Sequence, residues 1–146
     1  MKHLLGMTLL LASTPFAALA QRGAATGPVT AEYYYRIKWG SADEFKRLYE
    51  RNHAPIMREM QKQGFITKME VEEPFTHLAG GQRWDLRVTV TFPEAASAIV
   101  VGGAFDKAFS EASKRLYPDK AKFDAEEAHR FSLLDEHWDV IVTPVE

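Results

Sequence analysis

From Thr30 onward the hydrophobic positions switch between two periods, and each switch predicts an element. Tyr33, Tyr35, Ile37 and Trp39 alternate with Tyr34, Arg36 and Lys38, which predicts a strand over 31–39. Ser41, with Glu44 three residues on, reads as a capping box. Phe45, Leu48, Tyr49, Ile56 and Met60 then recur at helical spacing as far as Gly64, a residue suited to the left-handed position that ends helices. Pro55 interrupts this helix. It has no N–H for the carbonyl of Arg51 and disfavours helical geometry at Ala54, so a kink is expected there.

A second strand is predicted from about 65 to 78, bent at Pro74, with Ala79-Gly80-Gly81 as the hairpin turn. The third strand is the clearest: Trp84, Leu86, Val88, Val90 and Phe92 alternate with Arg83, Asp85, Arg87, Thr89 and Thr91. Pro93 opens a helix at its first position, Gly102-Gly103 breaks it, and Phe105, Phe109, Ala112 and Leu116 resume a stripe that Tyr117-Pro118 ends. Residues 119–134 read as one more amphipathic helix, with Phe123, Glu127, Phe131 and Leu134 on one side. The last strand, 137–143, sets Trp138, Val140 and Val142 against His137, Asp139 and Ile141, and Pro144 stops it. The order β-α-β-β-α-(α)-β is an α+β arrangement of ferredoxin-like type: an antiparallel four-stranded sheet with helices on one face.

The first 20 residues follow a different rule. A basic start at Lys2 and His3, an apolar run from Leu4 to Ala12 and the small-residue site Ala18-Leu19-Ala20 have the layout of a secretory signal. The apolar run is shorter than the roughly 20 residues a bilayer requires. Cleavage after Ala20 is expected, with export to the periplasm or the exterior and no membrane anchor afterwards. Residues 21–29 read as a disordered leader and 30–143 as a single domain.

Composition narrows the chemistry. The 146-residue chain is 46% hydrophobic and 26% charged, with a net charge of -2. A near-neutral surface argues against nucleic acid as a partner. The chain has no cysteine, which removes disulfides, thiolate metal sites and cysteine nucleophiles. No serine-hydrolase elbow, phosphate-binding loop or dinucleotide fingerprint is present, and no His-x-x-x-His spacing suggests a metal. Neither a cofactor nor a metal is expected.

The element order over 30–143 resembles the dimeric α+β barrel superfamily, which includes antibiotic-biosynthesis-monooxygenase-like, haem-degrading and EthD-like proteins. That resemblance implies a homodimer whose two sheets close a barrel. It also implies a pocket for an aromatic or other small organic ligand on the sheet face away from the helices. Haem-degrading and quinone-forming members carry an Asn on the first strand, with Trp and His elsewhere in the pocket. Here that strand reads Tyr33-Tyr34-Tyr35-Arg36-Ile37-Lys38-Trp39, without Asn, so the triad does not carry over to Trp84 or to the histidines.

The candidate site residues follow from these faces. With Leu86, Val88, Val90 and Phe92 under the helices, the opposite face carries Asp85, Arg87, Tyr34 and Arg36, and the last strand is expected to add His137 and Asp139. Such a face is either a solvated surface or a ligand-binding barrel lining in which Arg36 and Arg87 grip an anion. Arg87 has Asp85 and Asp139 as alternative structural partners. Asn52 falls on the apolar stripe of the first helix, where a polar side chain needs a partner, and the freed carbonyl of Arg51 is one. The kink alternatively aims His53 into a pocket as a catalytic base. The function expected is small-molecule binding by an exported barrel protein. The alternative is a cofactor-independent monooxygenase or isomerase acting on an aromatic or quinone-like molecule.

Overall fold

The computed structural model describes residues 27–76 and 78–142. The expected signal, its cleavage site and 21–26 of the leader lie outside the described residues, as do His77, Thr143 and Pro144. The sheet consists of β1 (Val29–Ile37), β2 (Lys68–Glu72), β3 (Leu86–Phe92) and β4 (Leu134–Val142), ordered β2-β3-β1-β4 with every neighbouring pair antiparallel. Helices α1 (Ala42–Leu48), α2 (Ala54–Lys62), α3 (Ala95–Ile99), α4 (Ala104–Leu116) and α5 (Lys120–Ser132) accompany it. This is the ferredoxin-like α+β fold expected from the sequence.

The core lies between one sheet face and the helices. Val29, Ala31, Tyr35 and Ile37 of β1 and Leu86, Val88, Val90 and Phe92 of β3 meet Phe45 and Leu48 of α1, Ile56, Met57 and Met60 of α2, and Ala112 of α4. Burying each large side chain here stabilises the fold by roughly 1.5–3 kcal/mol, which is how a chain without cysteine holds together.

Local departures from the sequence reading have physical causes. β1 starts at Val29 and ends at Ile37, so Trp39 lies beyond it and is exposed. Ser41 precedes α1 but its side chain makes no capping bond; Glu44 instead meets Nε2 of His129 at 3.0 Å. By contrast, Asp119 caps α5, accepting from the backbone N–H of Lys122 at 3.1 Å. Strand β2 is five residues long and ends at Glu72, while β3 does not begin until Leu86, so the two are not joined by a tight hairpin. α3 begins at Ala95, beyond Pro93, and is short. Gly64 does end α2: at φ +81 it lets Phe65 donate to Met60 and Gly64 to Gln61.

The kink at Pro55 takes a specific form. Tyr49–His53 make one widened π-helical turn between α1 and α2, with the N–H of Ala54 donating to Tyr49. Pro55 sits in the first turn of α2, where a missing N–H costs little. The carbonyl of Arg51 accepts from the hydroxyl of Tyr117, 2.6 Å away, not from Asn52. The Asn52 side chain is buried and donates to Glu126 at 3.1 Å, so its partner is a carboxylate of α5.

One face assignment is corrected by register. Directly paired residues on antiparallel strands share a face. Tyr35 pairs with His137 and Tyr33 with Asp139, whereas Tyr34 pairs with Trp138 and Arg36 with Glu136. His137 and Asp139 therefore lie on the helix side, not with Tyr34, Arg36 and Arg87. Alternation defined the two faces of β4 but not which one turns toward the helices.

Candidate functional site

Two constellations occupy the two faces of the sheet. On the face away from the helices, Trp138, Tyr34 and Trp84 form an aromatic row. Trp138 and Tyr34 stack at 5.3 Å with planes 7° apart, and Trp84 meets Tyr34 edge-on at 6.0 Å. Trp84 reaches this face because β3 begins at Leu86, which releases Trp84 from the apolar alternation.

The basic residues of this face already have partners. Arg36 pairs with Glu136 at 2.5 Å, and Arg87 with Glu72 at 2.7 Å while standing over the ring of Trp84. Arg83 pairs with Asp85 at 2.8 Å, and Asp85 also accepts from the backbone N–H of Ile37. Arg87 thus takes neither Asp85 nor Asp139. Arg87, with two N–H donors on Glu72, and Arg36, paired through Nη2 with Glu136, are less open to a further anion.

The other constellation lies between the sheet and the helices, in a cavity of about 190 Å³. Met57, Val88, Phe105, Phe109 and Phe131 form its apolar wall, and Tyr33, Tyr35, His53, Arg130 and His137 its polar part. The structure brings His53 and His137 together here, separates them from Tyr34, Arg36, Asp85 and Arg87, and leaves Asn52 in the α5 contact. Asp139 flanks this side through Tyr33, its strand partner. Larger hollows lie elsewhere: one of about 310 Å³ lined by residues of α4 and α5 and one of about 220 Å³ beside Trp39 and Trp84. Neither contains a histidine among its described lining residues.

Each polar group of the cavity is held in a definite state. His53 follows the widened turn, and its ring lies 5.4 Å from that of Tyr49 and 5.9 Å from that of Phe109. Burial among these rings, reinforced by the charge of Arg130, lowers its pKa to about 4, so the imidazole is neutral at pH 7. His137 stacks on Tyr35 with ring centres 4.4 Å apart. Its Nδ1 lies 2.9 Å from the carbonyl of Tyr34. A carbonyl only accepts, so Nδ1 carries a proton, and in the neutral ring Nε2 is the nitrogen with a free lone pair. Burial pushes the hydroxyl of Tyr35 up to about 12 and also raises Tyr33, so both stay protonated donors.

Arg130 is the residue that sequence reasoning passed over. It is 1% exposed, yet it carries a guanidinium. Its Nε and Nη2 donate to the two carboxylate oxygens of Glu127 at 3.0 and 2.6 Å, and the group lies over the rings of Phe45 and Phe131. A signal was present: Arg130 stands seven residues after Phe123 and three after Glu127, on the stripe that faces the core.

Among the described residues no cluster of histidines and carboxylates has the makings of a metal site, and no helix is long and apolar enough to cross a membrane.

No protein-family model matches the chain, and no curated protein matches its sequence. Solved structures do match it. The solution structure of a hypothetical Arabidopsis thaliana protein superposes with a TM-score of 0.51 at 13% identity, over 86% of this chain and 95% of that one. The chain shares that protein's fold. An EthD family protein of Bacillus halodurans gives a TM-score of 0.48 at 16% identity, over 81% and 99% of the two chains. A Bordetella bronchiseptica protein proposed to be an antibiotic biosynthesis monooxygenase gives 0.48 at 10% identity, over 82% and 99%. The likeness is one of fold.

Proposed function

We propose that this chain is an exported small-molecule-binding protein that works as a homodimer, with its ligand held between the sheet and the helices. The observation carrying the binding reading is the cavity that gathers His53, His137 and Arg130 inside an aromatic wall. Its volume, about 190 Å³, is a little above the roughly 150 Å³ of an apolar cavity known to take up benzene. It falls below the 300–1,000 Å³ typical of drug-sized ligands, which favours a compact molecule of one substituted ring. Phe131 and His137, both exposed, stand at its rim and leave a way in.

A second reading, a cofactor-independent monooxygenase or isomerase acting on an aromatic or quinone-like molecule, draws on the same imidazoles and Tyr35. What favours binding over catalysis is the state of His53. A general base works best with a pKa near the operating pH, and His53 at about 4 is a weak one. Titration with ethylbenzene, followed by two-dimensional NMR, is expected to give saturable shifts at His53, Phe105 and Phe109. Absence of saturable shifts there with ethylbenzene, acetophenone and benzoate alike would remove the binding reading.

The homodimer reading rests on the inverted pattern of β4. Its more apolar face, with Trp138, Val140 and Val142, points away from the helices, so the protomer's own core does not cover it. β2 and β4 are also edge strands with unpaired backbone groups. A second copy packed on that face would cover both features. For protein recovered after export, the amino terminus is expected at Gln21, and sedimentation is expected to give twice the mass of the processed chain. A retained signal would refute export, and a monomer at micromolar concentration would refute the dimer.

A further inference from the structure

Within the binding reading just stated, on which this step rests, two buried donors are left over among the described residues, the hydroxyl of Tyr49 and Nη1 of Arg130. Of the two residues only Arg130 lines the cavity. Side-on pairing with Glu127 uses Nε and Nη2 of Arg130, and Nη1 has no hydrogen-bond partner among the described residues. Its hydrogens point away from the carboxylate, because the two terminal nitrogens of a guanidinium lie on opposite sides of the central carbon. A buried, unsatisfied N–H of a charged group is costly, so an acceptor brought to it is strongly rewarded. Arg130 is one of the residues that line the cavity, and Nη1 is the part of its guanidinium that Glu127 does not engage.

Charge decides which acceptor suits it. Glu127 already cancels the positive charge of Arg130 through two short bonds, so the pair presents a donor without presenting a net charge. The surroundings oppose further anionic charge. Asp139 raises the pKa values of both Tyr33 and Tyr35, and Glu127 acts on Tyr35 as well. Among the described residues, the other basic groups lining the cavity are the imidazoles of His53 and His137, and burial keeps His53 neutral. A carboxylate entering here would lose its hydration without gaining a counter-ion. A carbonyl oxygen loses little and gains a charge-assisted hydrogen bond.

We infer that Arg130 is the specificity residue of the cavity and that the ligand is a neutral carbonyl compound, an aryl ketone or aldehyde in size, whose oxygen is received by Nη1. Phe105, Phe109 and Phe131 take its ring. Glu127 acts as a positioning residue: it orients the fork and sets its net charge.

Three probes of nearly one shape separate the outcomes: acetophenone, ethylbenzene and benzoate, titrated by calorimetry and NMR. Acetophenone is expected to bind the native chain about tenfold more tightly than ethylbenzene, the gain of one charge-assisted hydrogen bond. Benzoate is expected to bind more weakly than either. In Glu127→Gln the guanidinium charge is uncovered, and the order of acetophenone and benzoate is expected to reverse. A role of Glu127 confined to stability would weaken all three probes together. Equal binding of ethylbenzene and acetophenone, or a preference of the native chain for benzoate, overturns the inference and leaves the binding reading standing. Failure of all three probes to bind the native chain overturns both. The comparison on the native chain decides the matter even if Glu127→Gln does not fold.

Discussion

Arg130→Ala is expected to lower the unfolding free energy by about 3 kcal/mol, read as a fall in the urea midpoint at unchanged slope. The substitution removes a side chain that is 1% exposed and packs over Phe45, Tyr49 and Phe131. It also leaves the largely buried carboxylate of Glu127 without either of its two bonds from the guanidinium. Breaking one side of a buried pair costs much more than replacing both sides, because the remaining charge keeps its desolvation penalty. The double variant Glu127→Leu with Arg130→Met is therefore expected to recover most of the loss. A cost below about 1 kcal/mol for Arg130→Ala would mean that α5 is not anchored through this guanidinium.

Acid should weaken the fold through His53. Its pKa is lowered to about 4 in the folded chain, against 6.5 for an unperturbed histidine. Between those values the unfolded chain binds the proton and the folded chain does not, so stability is full above pH 6.5 and falls as the pH drops toward 4. The loss amounts to about 3 kcal/mol once both values are passed. The comparison with His53→Gln isolates the histidine. Urea unfolding at pH 7, 5 and 4 is expected to show a steep decline in the native chain and a shallower one in His53→Gln. Parallel declines would mean that His53 is not held neutral by burial. The same property links stability to function, because a protonated His53 would place a charge in the aromatic cavity and should expel a neutral ligand.

The helix containing Pro55 shows how far local reading reaches. Pro55 announces a break, since its ring removes a donor whatever surrounds it, and the widened turn lies where that argument places it. The partner of the freed carbonyl was not legible. Tyr117 is 66 residues away and arrives only when α4 packs against α2. Asn52 follows the same logic: its burial was visible from the stripe, while Glu126 as its partner required α5 to fold back.

The candidate site divides in the same way. His53 could be singled out as the residue a kink would aim, and the helical period placed it at the edge of the core. His137 and Asp139 were assigned to the wrong face, because period-two alternation is unchanged when both faces of a strand are exchanged. Only the pairing of Tyr35 with His137 resolves it. Arg130 was missed because an arginine on a helix is ordinarily a solvated residue, and its burial is a property of the packed molecule.

By itself the sequence determined the element types, their order, the break at Pro55, the left-handed turn at Gly64 and the α+β class. These depend on interactions within a few residues, where hydrophobic period and backbone sterics decide. The tertiary structure alone decided that Arg36 and Arg87 are taken up by Glu136 and Glu72. It also decided that His53, His137 and Arg130 share one cavity and that the apolar face of β4 turns outward. Those outcomes depend on strand register and on the docking of helices that are distant in the chain. Register and docking are set by the sum of many weak contacts, and no short stretch of residues encodes that sum.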